Sequence, residues 1–372
     1  MTRFIQIFFI AFSSDVILSH YGFSNSFLQA GEQIMRLVST AFLATTILLS
    51  STTLANADVK VIASIKPVHS LVAAVMDGVG KPDLLVEGAG SPHTYSLKPS
   101  QAKKLQEADL VFWMSHDLEA FLEKSIEGIA KNAKSVPLME SHGLTTLNFR
   151  EGGAFDAHAH DDHDDHDDHG HDDHDDHKKD DHGHDDHDDH GHDDHDDHGH
   201  DETDPHVWLD PVNAKALVHE IEEALTEADP VNAAAYEANA KAMMSKLDNL
   251  VAEIDAELQP VKGRGYVVFH DAYQYFENRF GVSAVGSITV SPEVLPGAER
   301  VAELREKVRS LNATCVFSEP QFEPKLVKTI TENTNAGTGV LDPLGASIDD
   351  GPELYFTLIR NMAKSLKDCL IK

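Results

Sequence analysis

The sequence is poor in basic residues, which number 30 against 63 aspartate and glutamate residues and leave a formal net charge of −33. It has no basic patch with interleaved aromatic residues, the pattern that nucleic-acid-binding proteins need. The two apolar runs near its start, residues 4–12 and 37–49, are shorter than the ~20 residues needed to cross a bilayer. We therefore expect neither a nucleic-acid partner nor a membrane-inserted segment.

Several motifs of hydrolases and calcium sites are also missing. The sequence contains no H-E-x-x-H helix, no G-x-S-x-G elbow and no D-x-[DN]-x-[DN]-G-x5-E loop. Cysteine is scarce, with only Cys315 and Cys369 in the whole chain. This even pair suits one disulfide in an oxidising compartment, and two buried free thiols are the alternative.

The first 57 residues resemble a leader that ends in a secretory signal. Met35 and Arg36 precede the apolar run 37–49, and Leu-Ala-Asn-Ala at residues 54–57 supplies an A-x-A cleavage site. We predict cleavage after Ala57, with Met35 as the true start. No cysteine adjoins the cleavage site to carry a lipid, so we expect a soluble periplasmic protein.

An acidic, histidine-rich tract interrupts the mature chain at residues 156–204. It carries 24 acidic residues and two lysines, so −22 of the net charge lies here and −11 is left for the rest. With almost no apolar residue, the tract should be disordered. Imidazole is a good Zn²⁺ ligand, so we expect weak auxiliary metal sites, and a solvated spacer is the alternative. Its sixteen histidines are His158, His160, His163, His166, His169, His171, His174, His177, His182, His184, His187, His190, His192, His195, His198 and His200.

Outside the tract, short β-rich runs alternate with longer helical runs, which predicts an α/β fold with mainly parallel sheets. Residues 230–258 have helical spacing without an internal glycine or proline, giving a helix about 40 Å long at 1.5 Å per residue. We predict two lobes, each a mainly parallel sheet flanked by helices, joined by this long rigid helix. The expected division is 58–155 and 205–229 for the N-terminal lobe, 156–204 for the loop, 230–260 for the linking helix and 261–372 for the C-terminal lobe.

Two of three candidate histidines outside the tract lie where predicted strands give way to helices, and the third directly follows the tract. His270 ends the strand at 266–269, His93 lies in a Gly- and Pro-containing loop before a helix near Ser100, and His206 follows the tract and precedes the capped helix that starts at Asp210-Pro211. Ligands bind at such carboxyl edges in open α/β folds. Asp342 follows a predicted strand at a comparable edge, so three imidazoles and one carboxylate could complete a tetrahedral Zn²⁺ shell.

Four segments resemble those of the zinc-binding components of bacterial ABC transporters. They are G-S-P-H-T-Y-S-L-K-P-S at 90–100, D-P-H-V-W-L-D-P at 204–211, V-F-H-D-A-Y at 268–273 and L-D-P-L-G at 341–345. The resemblance implies a two-lobed fold with a metal between the lobes and a His-rich loop near its entrance. It also implies that His93, His206 and His270 are ligands and that Cys315 pairs with Cys369.

The resemblance further implies a function in zinc import. The protein would capture Zn²⁺, act as a monomer without enzymatic activity, and deliver the ion to an inner-membrane permease driven by a cytoplasmic ATPase. Manganese and iron members of the wider family carry a carboxylate where this chain has His270, so the third imidazole favours zinc. Pro92 stands where some zinc members have glutamate, which leaves the fourth ligand as either Asp342 or water.

Alternative functions are a manganese or iron carrier of the same family, a secreted zinc hydrolase, and a periplasmic metal buffer without a transporter. A hydrolase would need an open coordination position and a nearby base, for which Glu319 is a candidate. We interpret Glu319 instead as a structural or rim residue.

Overall fold

The computed structural model describes residues 59–150, 155, 203–289, 297–311, 313–322 and 324–371. The predicted leader at 1–57 and the histidines of the tract at 158–200 lie outside the described residues. Within the described ranges, no helix combines the length and apolar character needed to cross a membrane.

The first lobe is built on a parallel four-stranded sheet of order β2-β1-β3-β4. Its strands are β1 (Val61–Ala63), β2 (Asp83–Leu84), β3 (Leu110–Trp113) and β4 (Lys134–Pro137), and its helices are α1 (Lys66–Val75), α2 (Pro99–Gln106), α3 (Ala120–Ile129) and α4 (Pro211–Ala228). Helix α4 starts where Asp210 accepts a hydrogen bond from the Val212 amide and Pro211 takes the first helical position, as cap-proline starts do.

The second lobe repeats this plan with a parallel sheet of order β6-β5-β7-β8. Its strands are β5 (Tyr266–His270), β6 (Ala284–Thr289), β7 (Cys315–Ser318) and β8 (Gly337–Val340), and its helices are α6 (Gln274–Phe280), α7 (Ala298–Ser310), α8 (Pro324–Thr331) and α9 (Leu354–Leu370). The predicted α/β fold with two parallel sheets is therefore confirmed.

Helix α5 (Ala233–Leu258) joins the two lobes. Its 26 residues correspond to about 39 Å, close to the predicted length. Its buried residues recur every three or four positions, as Tyr236, Ala240, Met243, Leu247 and Leu250 do. This stripe packs α5 against the core along its length.

The core continues from one lobe into the other. One apolar cluster includes Val61 and Phe112 of the first sheet, Leu250 of α5, and Tyr266 and Phe317 of the second sheet. The opposite face of each sheet has its own smaller cluster, because successive strand residues point to opposite faces. The two lobes are therefore joined by packing as well as by a helix.

A disulfide between Cys315 and Cys369 ties β7 to α9. The two residues are separated by 54 positions, and both are buried. The predicted pairing is confirmed, and the alternative of two free thiols is excluded.

Candidate metal centre

Three histidines from distant parts of the sequence converge where the two lobes meet. One candidate ligand nitrogen from each of His93, His206 and His270 lies within 4.8 Å of the other two. The ring centroids are 5.7 Å apart for His93 and His206, 5.8 Å for His93 and His270, and 5.3 Å for His206 and His270. The three side chains that were predicted to meet are therefore together.

His206 is oriented by a carboxylate two residues before it. Its Nδ1 lies 2.7 Å from Oδ1 of Asp204, which also accepts a hydrogen bond from the His206 backbone amide at 3.0 Å. Because an ionised carboxylate can only accept, Nδ1 then carries the proton and Nε2 is the nitrogen that can bind a metal ion. Burial raises the pKa of the Asp204 carboxyl to about 7.

His270 has a matching arrangement at the end of β5. Its Nδ1 donates to Oε1 of Glu319 at 2.7 Å, and both side chains are buried. Burial opposes protonation of the ring, but the Glu319 carboxylate, together with Asp271 and Asp204, outweighs it and raises the pKa of His270. Nε2 of His270 is buried and has no hydrogen-bond partner among the described residues. A buried orphan nitrogen of this kind calls for a ligand.

His93 lies on a short 3-10 turn, Pro92–Thr94, in the loop that precedes α2. It is partly exposed. Burial and the neighbouring His206 and His270 hold the pKa of the His93 imidazole well below its usual value. A neutral imidazole is the form that binds a metal ion.

Asp342 is placed differently from the three histidines. It follows β8 as predicted, but its carboxylate does not join the group of mutually close ligand atoms. Its oxygens accept hydrogen bonds from the backbone amides of Leu344, Gly345 and Ala346 and from the side chain of Gln321. Asp342 therefore shapes the turn after β8. From its position at the sheet edge alone, the sequence could not tell this role from that of a metal ligand.

The other histidines of the folded part lie outside this group. His69 is buried in α1, with Nε2 3.1 Å from the Pro82 carbonyl oxygen, and it lines a separate cavity of about 800 Å³ that none of the three converging histidines lines. His116, His142 and His219 are exposed. None of these four residues belongs to the group of converging histidines.

Sequence reasoning missed both carboxylates that orient the rings. Glu319 was expected to be a structural or rim residue; it is only 3% exposed and contacts His270, which excludes a place at the rim. It directly follows β7, the strand beside β5. The position of Glu319 at the same sheet edge as His270 was the available sequence signal for that contact. For Asp204 the available signal was its position two residues before His206.

Comparison with known proteins gives consistent matches. A family model described as "Zinc-uptake complex component A periplasmic" matches residues 61–369. The high-affinity zinc uptake system protein ZnuA of Brucella suis biovar 1 is 60% identical over 312 residues, which cover 84% of this chain and 92% of that protein.

Solved structures share the fold. A crystal structure of ZnuA matches with a TM-score of 0.63 and 24% identity, over 84% of this chain and 100% of that one. A mutant of a manganese-bound periplasmic metal-binding protein from Candidatus Liberibacter asiaticus matches with a TM-score of 0.62 and 22% identity, over 84% and 99%. Because the family model spans nearly all of the described fold, the chain belongs to the periplasmic component A family of zinc-uptake complexes, whose members are solute-binding proteins.

Proposed function

We propose that this protein captures one Zn²⁺ on His93, His206 and His270 and hands it to the membrane permease of a zinc import system. The observation that carries the proposal is the convergence of three imidazoles, two of them oriented by buried carboxylates. Zn²⁺ is the cargo in this scheme.

The donor set suits zinc. Carboxylate–histidine pairs fix the ring orientation and raise the basicity of the nitrogen that binds the metal. Three imidazoles with one remaining position form a common zinc coordination sphere. We propose a water molecule for that position, because the Asp342 oxygens are engaged by backbone amides.

Manganese is the main alternative, since one structural neighbour is manganese-bound. Mn²⁺ prefers oxygen ligands and higher coordination numbers. Here two carboxylates at the site, those of Asp204 and Glu319, are hydrogen-bonded to a histidine Nδ1. The nitrogen-rich donor set therefore favours zinc.

Transport fits the site better than hydrolysis. The cavity bounded by His93, His206, His270 and Glu319 leaves about 10 Å³ of free space, roughly the room for one water molecule. An organic substrate would need a pocket of about 300 Å³ or more. Oε1 of the candidate base Glu319 also accepts from Nδ1 of His270.

We also propose roles for the segments outside the described residues and for the partners of the folded part. Cleavage after Ala57 would release the protein into the periplasm, and the tract histidines would gather zinc near the site as weak auxiliary ligands. The folded part would act as a monomer and deliver the ion to a permease that a cytoplasmic ATPase drives.

Zinc titration of single variants tests the ligand assignment. Zinc is supplied at less than one equivalent, and the protein and a chromophoric chelator compete for it. Only the tightest site of the protein then fills. We expect His206→Ala and His270→Ala to lose that site, while His219→Ala, which changes an exposed histidine, retains it. Wild-type affinity in either site variant would refute the assignment, and sustained hydrolysis by the zinc-loaded protein would favour an enzyme.

A further inference from the structure

His206 belongs to the first lobe by sequence, because it directly precedes α4, yet its segment is bonded to the second lobe. We call residues 204–210 the His206 segment. Nε2 of Gln274 donates to Oδ2 of Asp204 at 3.3 Å, and the Tyr275 hydroxyl donates to the Asp204 carbonyl oxygen at 2.7 Å. Both residues lie in α6, which begins four residues after His270.

The rest of the His206 segment is held by the same lobe. The Trp208 indole donates to the Pro343 carbonyl oxygen at 2.9 Å, and the Tyr355 hydroxyl donates to the Trp208 carbonyl oxygen at 2.7 Å. Arg279 of α6 makes two hydrogen bonds of 2.7 Å with the Asp210 carboxylate. Hydrogen bonds to the second lobe therefore bracket His206 on both sides.

The chain that leads into the tract is bonded to α6 as well. The Leu147 amide donates to the Tyr275 hydroxyl at 2.9 Å, and Gln274 donates to the Asn148 carbonyl oxygen at 3.0 Å. Arg150 pairs with Asp271 and Glu277. The two stems of the tract thus meet α6 within a few residues of His270.

The loop that carries His93 has its contacts in the first lobe. The Tyr95 hydroxyl donates to the Leu85 carbonyl oxygen at 3.1 Å. The side-chain amide of Gln101 in α2 donates to that carbonyl oxygen and to the Tyr95 hydroxyl oxygen. Among the described residues, no carboxylate is hydrogen-bonded to the His93 ring. His93 is therefore the proposed ligand whose loop is held by hydrogen bonds within the first lobe.

From these contacts we infer that Gln274 and Tyr275 are positioning residues, which attach His206 through Asp204 to the lobe that carries His270. His206 and His270 then form a two-imidazole half-site on the second lobe, and His93 completes it from the first. The inference rests on the proposed function, because it concerns how the same three ligands are held.

The test compares the full-length Gln274→Ala/Tyr275→Phe variant with a matched Gln259→Ala/Tyr236→Phe control. The control removes the same groups from an exposed glutamine that contacts Asp255 and a buried tyrosine that contacts Asp229. Zinc affinity is measured by chelator competition below one equivalent, and Co²⁺ absorption in the visible range reports the ligand set.

We expect the positioning variant to bind zinc about tenfold more weakly than the control, the lower end of the range for outer-sphere partners of metal ligands. Its Co²⁺ spectrum should shift towards that of His206→Ala. His93→Ala should weaken binding less than His206→Ala does, because it leaves the half-site intact.

Two results would overturn the inference: a Co²⁺ spectrum and zinc affinity equal to those of the control, or a His93→Ala loss as large as that of His206→Ala. Failure of the proposed function looks different, since His206→Ala and His270→Ala would then keep the wild-type spectrum and affinity. Thermal unfolding of both double variants separates a general loss of stability from a change at the site.

Discussion

Glu319 offers a direct test of how strongly the buried carboxylates support the metal site. The Glu319→Gln substitution keeps an oxygen that can accept from Nδ1 of His270 at the observed 2.7 Å but removes the charge. We expect zinc affinity to fall about tenfold, which corresponds to ~1.4 kcal/mol. The Glu319→Ala substitution removes the acceptor as well.

The larger effect of Glu319→Ala can be worked out in two ways. Loss of an outer-sphere partner weakens metal binding by about 10- to 100-fold, and a buried donor left unpaired costs about 1–3 kcal/mol. The two routes give ~1.4 to 2.7 and ~1 to 3 kcal/mol. Because the His270 side chain is only 6% exposed, water cannot easily replace Glu319, and we expect the upper half of these ranges, ~2 to 3 kcal/mol. The expected order of zinc affinity is wild type, then Glu319→Gln, then Glu319→Ala.

The assay is competition with a zinc chelator at less than one equivalent of metal. Glu253→Gln is the control, because Glu253 is an exposed residue paired with Arg360. If both Glu319 variants matched this control, the idea that Glu319 tunes His270 would be refuted. A Glu319→Gln loss equal to that of Glu319→Ala would assign the whole effect to charge.

Three further predictions concern the tract, the disulfide and a buried acid. Deletion of residues 156–202 should lower the number of zinc ions bound and keep one tight site, as counted by titration; loss of the tight site would contradict the ligand assignment. The double substitution of Cys315 and Cys369 by serine should lower the free energy of unfolding by about 4 kcal/mol, because the disulfide closes a loop of 54 residues. Zinc affinity should stay within about twofold of the wild-type value. An unchanged denaturant midpoint would contradict the expected loss of stability. Burial raises the pKa of Glu119 to about 7, so the folded state holds its proton between pH 4.5 and 7 and stability falls as pH rises through that window. Glu119→Gln should remove on the order of 3 kcal/mol of this pH dependence, and parallel stability–pH curves for the two proteins would refute it.

The sequence predicted the fold well where periodic patterns were long or buried. The start of α4 at Asp210-Pro211 and the uninterrupted helical spacing before residue 258 placed two helices to within a few residues. Strand β4 shows no clear pattern in the sequence, because its four residues, Lys134–Pro137, alternate weakly and include only one buried side chain. Short edge strands of this kind carry little sequence signal.

The candidate site was predicted less completely than the fold. His93 and His270 were candidates because each follows a predicted strand at a carboxyl edge, and the resemblance to zinc-binding transporter components implied that they and His206 share one ion. Asp342 occupies the same edge, but the direction of its carboxylate depends on the turn of residues 343–346, which strand position does not determine. Asp204 and Glu319 contact the rings of His206 and His270, and for these contacts the sequence offers only indirect signals, the spacing before His206 and the shared sheet edge.

The apolar core that runs unbroken between the sheets has a consequence for how the protein denatures. If either lobe unfolded alone, Leu250 and its neighbours on α5 would become exposed to solvent, and so would apolar surface of the lobe that stayed folded. The halves should then denature together, so calorimetry should record a single heat-absorption peak even though the chain has two sheets. Destabilising either half should move that one peak as a whole.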